Sequence, residues 1–265
     1  MSGANTVHGA NTVYPYLDAP RPLAFAHRGG AAHGDENTAE AFGRAAALGY
    51  RYIETDVHAT ADGVAVVFHD ATLRRLTGHD ARPGQLTWAD LKTLRVGGAA
   101  AIPRLDEVLD AWPGLRFNID VKAGTAVEPT LSVIRQVDAA GRVLLASFST
   151  ARLRRLRRAA GPGVPTSLSL REVAVMWAAS RSGRGWRPPA SVAAAQVPWR
   201  YGPLAVVDAP FVRFAHRHGL QVHVWTIDNP ADIAYLLDLD VDGIMTDRVD
   251  VLRDVYAARG LWAPS

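Results

Sequence analysis

Residues 220–246 read LQVHVWTIDNPADIAYLLDLDVDGIMT and contain a complete strand–helix–strand unit. Leu220 to Thr226 is a short run rich in β-branched and aromatic residues, Ala231 to Leu237 has helical periodicity, and Gly243 to Thr246 is a second apolar run. Strands separated by a helix rather than a tight turn lie parallel, because a crossover returns the chain to the edge it left. The unit recurs upstream. Strand-like runs stand at Leu23 to His27, Tyr52 to His58, Leu115 to Lys122, Val143 to Phe148, Thr166 to Leu170 and Val192 to Val197, which with the first two makes eight. Helical stretches at Thr38 to Leu48, Trp88 to Leu94, Val127 to Ala140, Ala151 to Ala159, Arg171 to Ser180, Pro210 to His218 and Val249 to Ala258 likewise bring the helices to eight. Such alternation, without a low-complexity break, predicts a single closed (β/α)8 barrel of the TIM class rather than an open sheet.

Composition agrees. At 265 residues, with 48% apolar and 21% charged residues, the chain can fill one large core and is not biased toward disorder. The barrel is expected over 21–260 and a flexible tail over 1–20, where Gly-Ala-Asn-Thr-Val occurs twice. That tail has neither the basic start nor the apolar run of a signal peptide, and no stretch approaches about 18 uninterrupted apolar residues. A cytoplasmic protein with no stable membrane insertion is expected, as a monomer or homodimer. The absence of cysteine excludes a disulfide framework and a thiolate metal site. Net charge is +3, and only Arg152, Arg154, Arg155, Arg157 and Arg158 cluster. They share one helix, where a solvated face is the ordinary explanation and an anion-binding patch the alternative. No nucleic-acid partner is expected.

One segment departs from the alternation. After the second strand, Asp62-Gly63 turns the chain into another strand-like run, Val64 to Phe68, which ends at His69-Asp70. Ala71 to Ala101 then reads as an insertion with one short helix. In a barrel, reactive groups gather where strands end at the C-terminal face. His27-Arg28 ends the first strand, Glu54 and Asp56 the second, Asp120 and Lys122 the third, and Trp225 the seventh.

These residue types suggest chemistry. Glu54 and Asp56 are two apart on one strand, so both point into the barrel and repel each other unless a cation sits between them. An all-oxygen set calls for a hard ion, Mg²⁺ or Ca²⁺, although pairing with an arginine would also account for it. Asn118, Asp120 and Lys122 share one face of the third strand. Asp120 is the natural third carboxylate, and Lys122 a point charge for a phosphate oxygen, unless the two form a structural ion pair. Arg28 offers a planar fork for phosphate, next to Gly29-Gly30, where backbone can approach a ligand. His27 and His69 together supply a proton donor and acceptor near neutral pH. We take His27 as base and His69 as acid, the reverse remaining open. His58 has the parity to reach the site, with a structural role the simpler account. Trp177, Trp186 and Trp199, interspersed with Arg181, Arg184, Arg187 and Arg200, form either a wall that selects the leaving group or ordinary surface.

In this order and spacing, His27-Arg28-Gly29, Glu36-Asn37-Thr38, Glu54-x-Asp56, Asp62-Gly63 and His69-Asp70-x-Thr72-Leu73 resemble the glycerophosphodiester phosphodiesterase family of the phosphatidylinositol-phosphodiesterase-like barrels. The resemblance continues through Ile102-Pro103-x-Leu105, Asn118 to Lys122, Ser147-Phe148, His223-x-Trp225-Thr226 and Gly243 to Asp247, so it covers the chain from about Pro22 to the last helix. It implies a barrel that hydrolyses small glycerophosphodiesters to glycerol 3-phosphate and an alcohol, in lipid and glycerol metabolism, with one divalent cation. Matched position by position, Glu54, Asp56 and Asp120 are the metal ligands, His27 and His69 the acid–base pair, and Arg28 and Lys122 the phosphate contacts. Trp225 matches an aromatic residue at the mouth against the glycerol or the leaving alcohol, and Glu36 a glutamate expected to orient His27 or Arg28. The chain departs from the family at Asp35 and Val249, where proline is usual, and at Asp120, where glutamate is usual. Asp35 could still cap the first helix. The alternatives are a lysophospholipase D-type enzyme, which needs an apolar groove at the mouth, and a barrel that binds a phosphodiester without cleaving it.

Overall fold

The computed structural model describes residues 14–182 and 185–262. Eight parallel strands form the barrel: β1 Leu23–His27, β2 Tyr52–Ala59, β3 Arg116–Val121, β4 Val143–Ala146, β5 Thr166–Ser167, β6 Val192–Pro198, β7 Gln221–Trp225 and β8 Gly243–Thr246. Each pairs with the next, and β1 pairs with both β2 and β8, which closes the ring. The outer helices are α1 Ala39–Ala47, α2 Leu105–Ala111, α3 Val127–Gln136, α4 Thr150–Ala160, α5 Leu170–Ser182, α6 Ala209–Arg217, α7 Pro230–Asp238 and α8 Val249–Ala258. Outward strand residues such as Ile53, Phe117, Ile119, Leu145 and Ile244 pack with Phe42, Leu131, Leu156, Phe211 and Leu252 of the helices in one continuous core.

The interior is layered by side-chain parity. At the lower end Tyr16, Leu23, Phe25, Tyr52, Leu144, Ala194 and Met245 make a separate apolar plug. Gly243 fits there because a Cβ would lie 2.8 Å from Phe25 and 3.0 Å from His223. The first thirteen residues of the expected tail lie outside the described residues. The rest of that segment is packed rather than loose: Pro15–Leu17 form a 3-10 turn, Tyr16 is fully buried, and its carbonyl accepts a 2.7 Å hydrogen bond from the Tyr52 hydroxyl. Above the plug, Gln196 donates to Asn118 at 3.0 Å and lies 3.2 Å from His223, a polar layer that separates the apolar floor from the mouth.

The excursion after β2 forms as expected. Ala65–Val67 pairs antiparallel with the end of β2, and the Phe68 N–H donates to the Asp56 carbonyl at 2.9 Å, so His69 is delivered beside the barrel mouth. The insertion has its own small core of Val66, Phe68, Leu73, Leu91, Val96 and Ile102. The helix expected from Trp88 to Leu94 is only one turn, Trp88–Leu91, and belongs to that insertion. The outer-layer helix between β2 and β3 is instead α2. It presents Leu105, Val108 and Leu109 to the core, but at seven residues its period repeats too briefly to stand out.

Candidate active site

The first strand ends in a backbone turn that builds half of the site. Arg28, Gly29 and Gly30 have φ of 52°, 84° and 94°, so three successive residues in the left-handed region fold the chain back over the mouth. A Cβ on Gly29 would lie 2.7 Å from Phe42, and one on Gly30 would lie 2.8 Å from Val249, the residue found where proline is usual. The Arg28 N–H donates to Glu54 at 3.2 Å, and its carbonyl accepts from Asn37 N–H at 2.9 Å. Asn37 in turn donates to Asp56 at 2.9 Å and accepts from Thr55 at 2.8 Å. Helix α1 is capped by Thr38, while Asp35 forms a two-pronged ion pair with Arg44 at 2.7 and 2.8 Å, so Asp35 anchors the loop without capping.

The expected inward parity of the carboxylates holds. Glu54, Asp56 and Asp120 are all buried around the Lys122 ammonium, which lies 2.7 Å from Asp56 and 2.7 Å from Asp120. Burial and the neighbouring Asp56 push the Glu54 carboxyl up to about 7. Burial would also raise Asp56, but Lys122, His69 and Arg28 outweigh it and hold Asp56 below the ordinary value. Burial raises Asp120 despite Lys122, and its Oδ1 is buried with no hydrogen-bond partner. This set carries more buried negative charge than its side-chain cations neutralise, so a hard divalent cation fits it.

Both histidines rest on carboxylates. His27 Nδ1 lies 2.6 Å from Asp247, just beyond β8, and its Nε2 lies 3.7 Å from Glu54. Burial works to lower the His27 pKa, but Glu54 and Asp247 together raise it. His69 Nδ1 lies 2.7 Å from Asp70. His58 sits below, with Nε2 3.3 Å from the His69 carbonyl, where it supports that backbone rather than reaching the centre. Sequence reasoning missed two participants. Asp247 was visible only within a matched motif, and Arg75 of the insertion gave no signal. Arg75 donates to Glu36 at 2.7 and 2.9 Å and to Asp70 at 2.6 and 2.9 Å, while Arg28 donates to Glu36 at 2.9 Å. Of its two expected partners, Glu36 contacts Arg28.

Among the described residues, one group places a potential ligand atom from each of three side chains within 4.8 Å: Glu36, His69 and Asp70. It is a different set from Glu54, Asp56 and Asp120. Arg75 pairs with Glu36 and Asp70 of this group, as Lys122 pairs with Asp56 and Asp120 of the other. Trp225 closes the mouth at the end of β7, its ring 5.6 Å from that of Phe148, and Lys122 lies 5.7 Å from the Phe148 ring. Among the described residues the tryptophan–arginine wall does not assemble. Trp186 packs on Phe214 and His218 toward the lower end of α6, Arg181 and Arg200 stack on Trp177 and Trp199, and Arg184 lies outside the described residues. The arginines of α4 also divide: Arg152 turns inward to the Val121 carbonyl and Ser147, and Arg157 pairs with Glu172.

A barrel whose mouth joins carboxylate-anchored histidines, an arginine, a lysine and buried carboxylates is of the class equipped to bind an anionic ester and move protons around it. The chain belongs to the glycerophosphoryl diester phosphodiesterase family, whose model matches residues 27–251. It is 43% identical over 259 residues to the Mycobacterium tuberculosis protein named probable glycerophosphodiester phosphodiesterase 2, spanning 96% of this chain and 97% of that one. A solved chain from Silicibacter pomeroyi superposes with a TM-score of 0.78 at 26% identity, over 94% of this chain and 100% of the other. An Oleispira antarctica phosphodiesterase, solved with the product sn-glycerol-3-phosphate, shares the fold with a TM-score of 0.74 at 21% identity, covering 89% and 97% of the two chains. Among the described residues no helix is long and apolar enough to cross a membrane.

Proposed function

We propose that this chain hydrolyses glycerophosphodiesters to glycerol 3-phosphate and an alcohol, with a divalent cation, Mg²⁺ or Ca²⁺, held by Glu54, Asp56 and Asp120. The observation that carries this reading is the meeting of two carboxylate-anchored histidines with a buried, under-neutralised carboxylate cluster at one mouth. When bound, the cation supplies Lewis-acid charge at the phosphate and lowers the pKa of a nearby hydroxyl or water.

The protein's own groups supply the rest. Arg28 and Lys122 face the same centre and offset negative charge developing on the phosphoryl oxygens. The Trp225 and Phe148 rings meet edge to face at one side of this mouth. Each histidine engages a carboxylate through Nδ1, which leaves Nε2 for the substrate. The charge of Asp70 is shared with Arg75, whereas Asp247 faces His27 and helps raise its pKa. His27 is therefore set up to donate a proton to the departing alkoxide and His69 to take one from the nucleophile, the reverse of the roles we took from the sequence. In net terms one water is added: its hydroxyl stays on phosphorus, the P–O bond to the alcohol breaks, and its proton leaves on the alcohol.

The direct test is hydrolysis of glycerophosphocholine, glycerophosphoethanolamine and glycerophosphoglycerol with Mg²⁺, Ca²⁺ or chelator. Turnover with an added ion and loss under chelation is expected. Indifference to the chelator overturns the metal-dependent reading.

A further inference from the structure

The carboxylate that engages His27 belongs to a residue whose backbone is held on both sides. Asp247 follows β8, and its carbonyl accepts from the Ala32 N–H at 3.3 Å, in the turn beyond β1. Its own N–H donates to Oδ1 of Asp228 at 2.8 Å. Asp228 stands on the segment that leaves the mouth end of β7. The same oxygen accepts from the Thr246 hydroxyl at 2.8 Å and from the Arg248 N–H at 3.3 Å, so donors from consecutive residues converge on one atom. Around it the chain is tied further: Thr246 Oγ1 accepts from the Arg248 N–H at 2.9 Å, and the Ile227 N–H donates to the Met245 carbonyl at 3.0 Å.

An aspartate that collects backbone N–H groups is ordinarily a helix cap. Asp228 has a different task, because α8 begins at Val249 and every one of these donors lies ahead of it. What the bonds fix is the path of the chain through Asp247. The Asp247 carboxylate lies 2.6 Å from His27 Nδ1, so a shift of its backbone passes directly to the imidazole. At a reacting group a misplacement of about 1 Å can cost about 100-fold in rate.

We propose that Asp228 is a positioning residue for the proton transfer: by accepting from Thr246, Asp247 and Arg248 it sets the place of the Asp247 carboxylate, and through it the orientation of His27. The inference rests on the hydrolase reading above and adds a residue to it. Asp228 takes no proton and touches no substrate; it acts through Asp247.

The test is a mutant cycle read in kcat and KM for glycerophosphocholine. Asp228→Ala is expected to lower kcat about tenfold with KM within about twofold of wild type, because Arg28 and Lys122 still bind the phosphate. Asp228→Asn keeps an acceptor oxygen at the same reach and should stay within about threefold of wild type. In an Asp247→Ala background no carboxylate is left to place, so adding Asp228→Ala should cost nothing more. Losses that multiply, an unchanged kcat in Asp228→Ala, a rise in KM alone, or an Asn variant as slow as the Ala one each overturn this inference while hydrolysis by the wild type stands. Should Asp228→Ala fail to fold, Asp228→Ser takes its place in the cycle, since its hydroxyl stops about 1.5 Å short of the three donors. If the wild type cleaves no glycerophosphodiester, the hydrolase reading falls and this inference with it.

Discussion

Lys122 holds its ammonium nitrogen 2.7 Å from Asp56, joining two adjacent strands inside the barrel mouth. That contact leaves Glu54 and one oxygen of Asp120 without comparable neutralisation. A bound divalent cation should therefore stabilise the fold as well as serve the reaction. At about 100 times its dissociation constant it adds about 2.7 kcal/mol, or roughly 5–10 °C in melting temperature for a domain of this size. Calorimetry with Mg²⁺ or Ca²⁺ against chelator checks this, and Asp120→Asn is expected to lose most of the increment. An equal rise in that variant would place the ion elsewhere.

Asp247→Asn removes the carboxylate beside His27. Support of this kind is typically worth about 10–100-fold in activity. Because Asp247 raises the His27 pKa, its loss lowers that pKa. If His27 acts as the acid, activity falls as pH rises through its pKa, so the high-pH limb of kcat/KM should move to lower pH. A shift confined to the low-pH limb would assign His27 as the base.

Arg75→Lys preserves a charge but not the fork that spans Glu36 and Asp70. We expect kcat to fall about tenfold. The melting temperature should barely change, since the side chain is half exposed. A large loss of stability with unchanged kcat in the remaining folded protein would make the clamp merely structural.

Away from the site, His216 Nε2 lies 2.7 Å from the buried Asp242, whose oxygens also accept from Val222 N–H and pair with Arg21. The hydrogen bond to Asp242 raises the His216 pKa, and His216 helps to hold Asp242 below its usual value against burial. The histidine's contribution is therefore full below its unfolded pKa of about 6.5 and disappears as pH rises through the higher folded value. The aspartate's contribution is present above about 3.9 and is lost as pH falls through its lowered value. Urea unfolding should find wild type and His216→Ala converging by about 1 kcal/mol between about pH 6 and pH 9, a figure discounted for the partly exposed ring. A constant gap would refute the linkage.

Legibility in the sequence followed the range of each interaction. Strand parity is local, so the inward placement of Glu54, Asp56, Asp120 and Lys122 could be read from spacing by two. The return of His69 was legible because Asp62-Gly63 announces its turn. Arg75 could not be read, since its partner Glu36 lies 39 residues away and an arginine on a short surface helix has no periodic signature. The α2 helix was missed because two turns carry too little repetition. The buried Tyr16 looked like tail because its partners come from the floor of a barrel that exists only after closure.

The seam between β1 and β8 has a consequence for how the protein comes into being. His27 is among the first barrel residues to be synthesised, and its carboxylate partner is residue 247. On a ribosome the anion-binding face of the first three strands emerges long before the group that finishes its proton chemistry. The proton-handling pair is therefore complete only once residue 247 has followed the last strand into place beside the first.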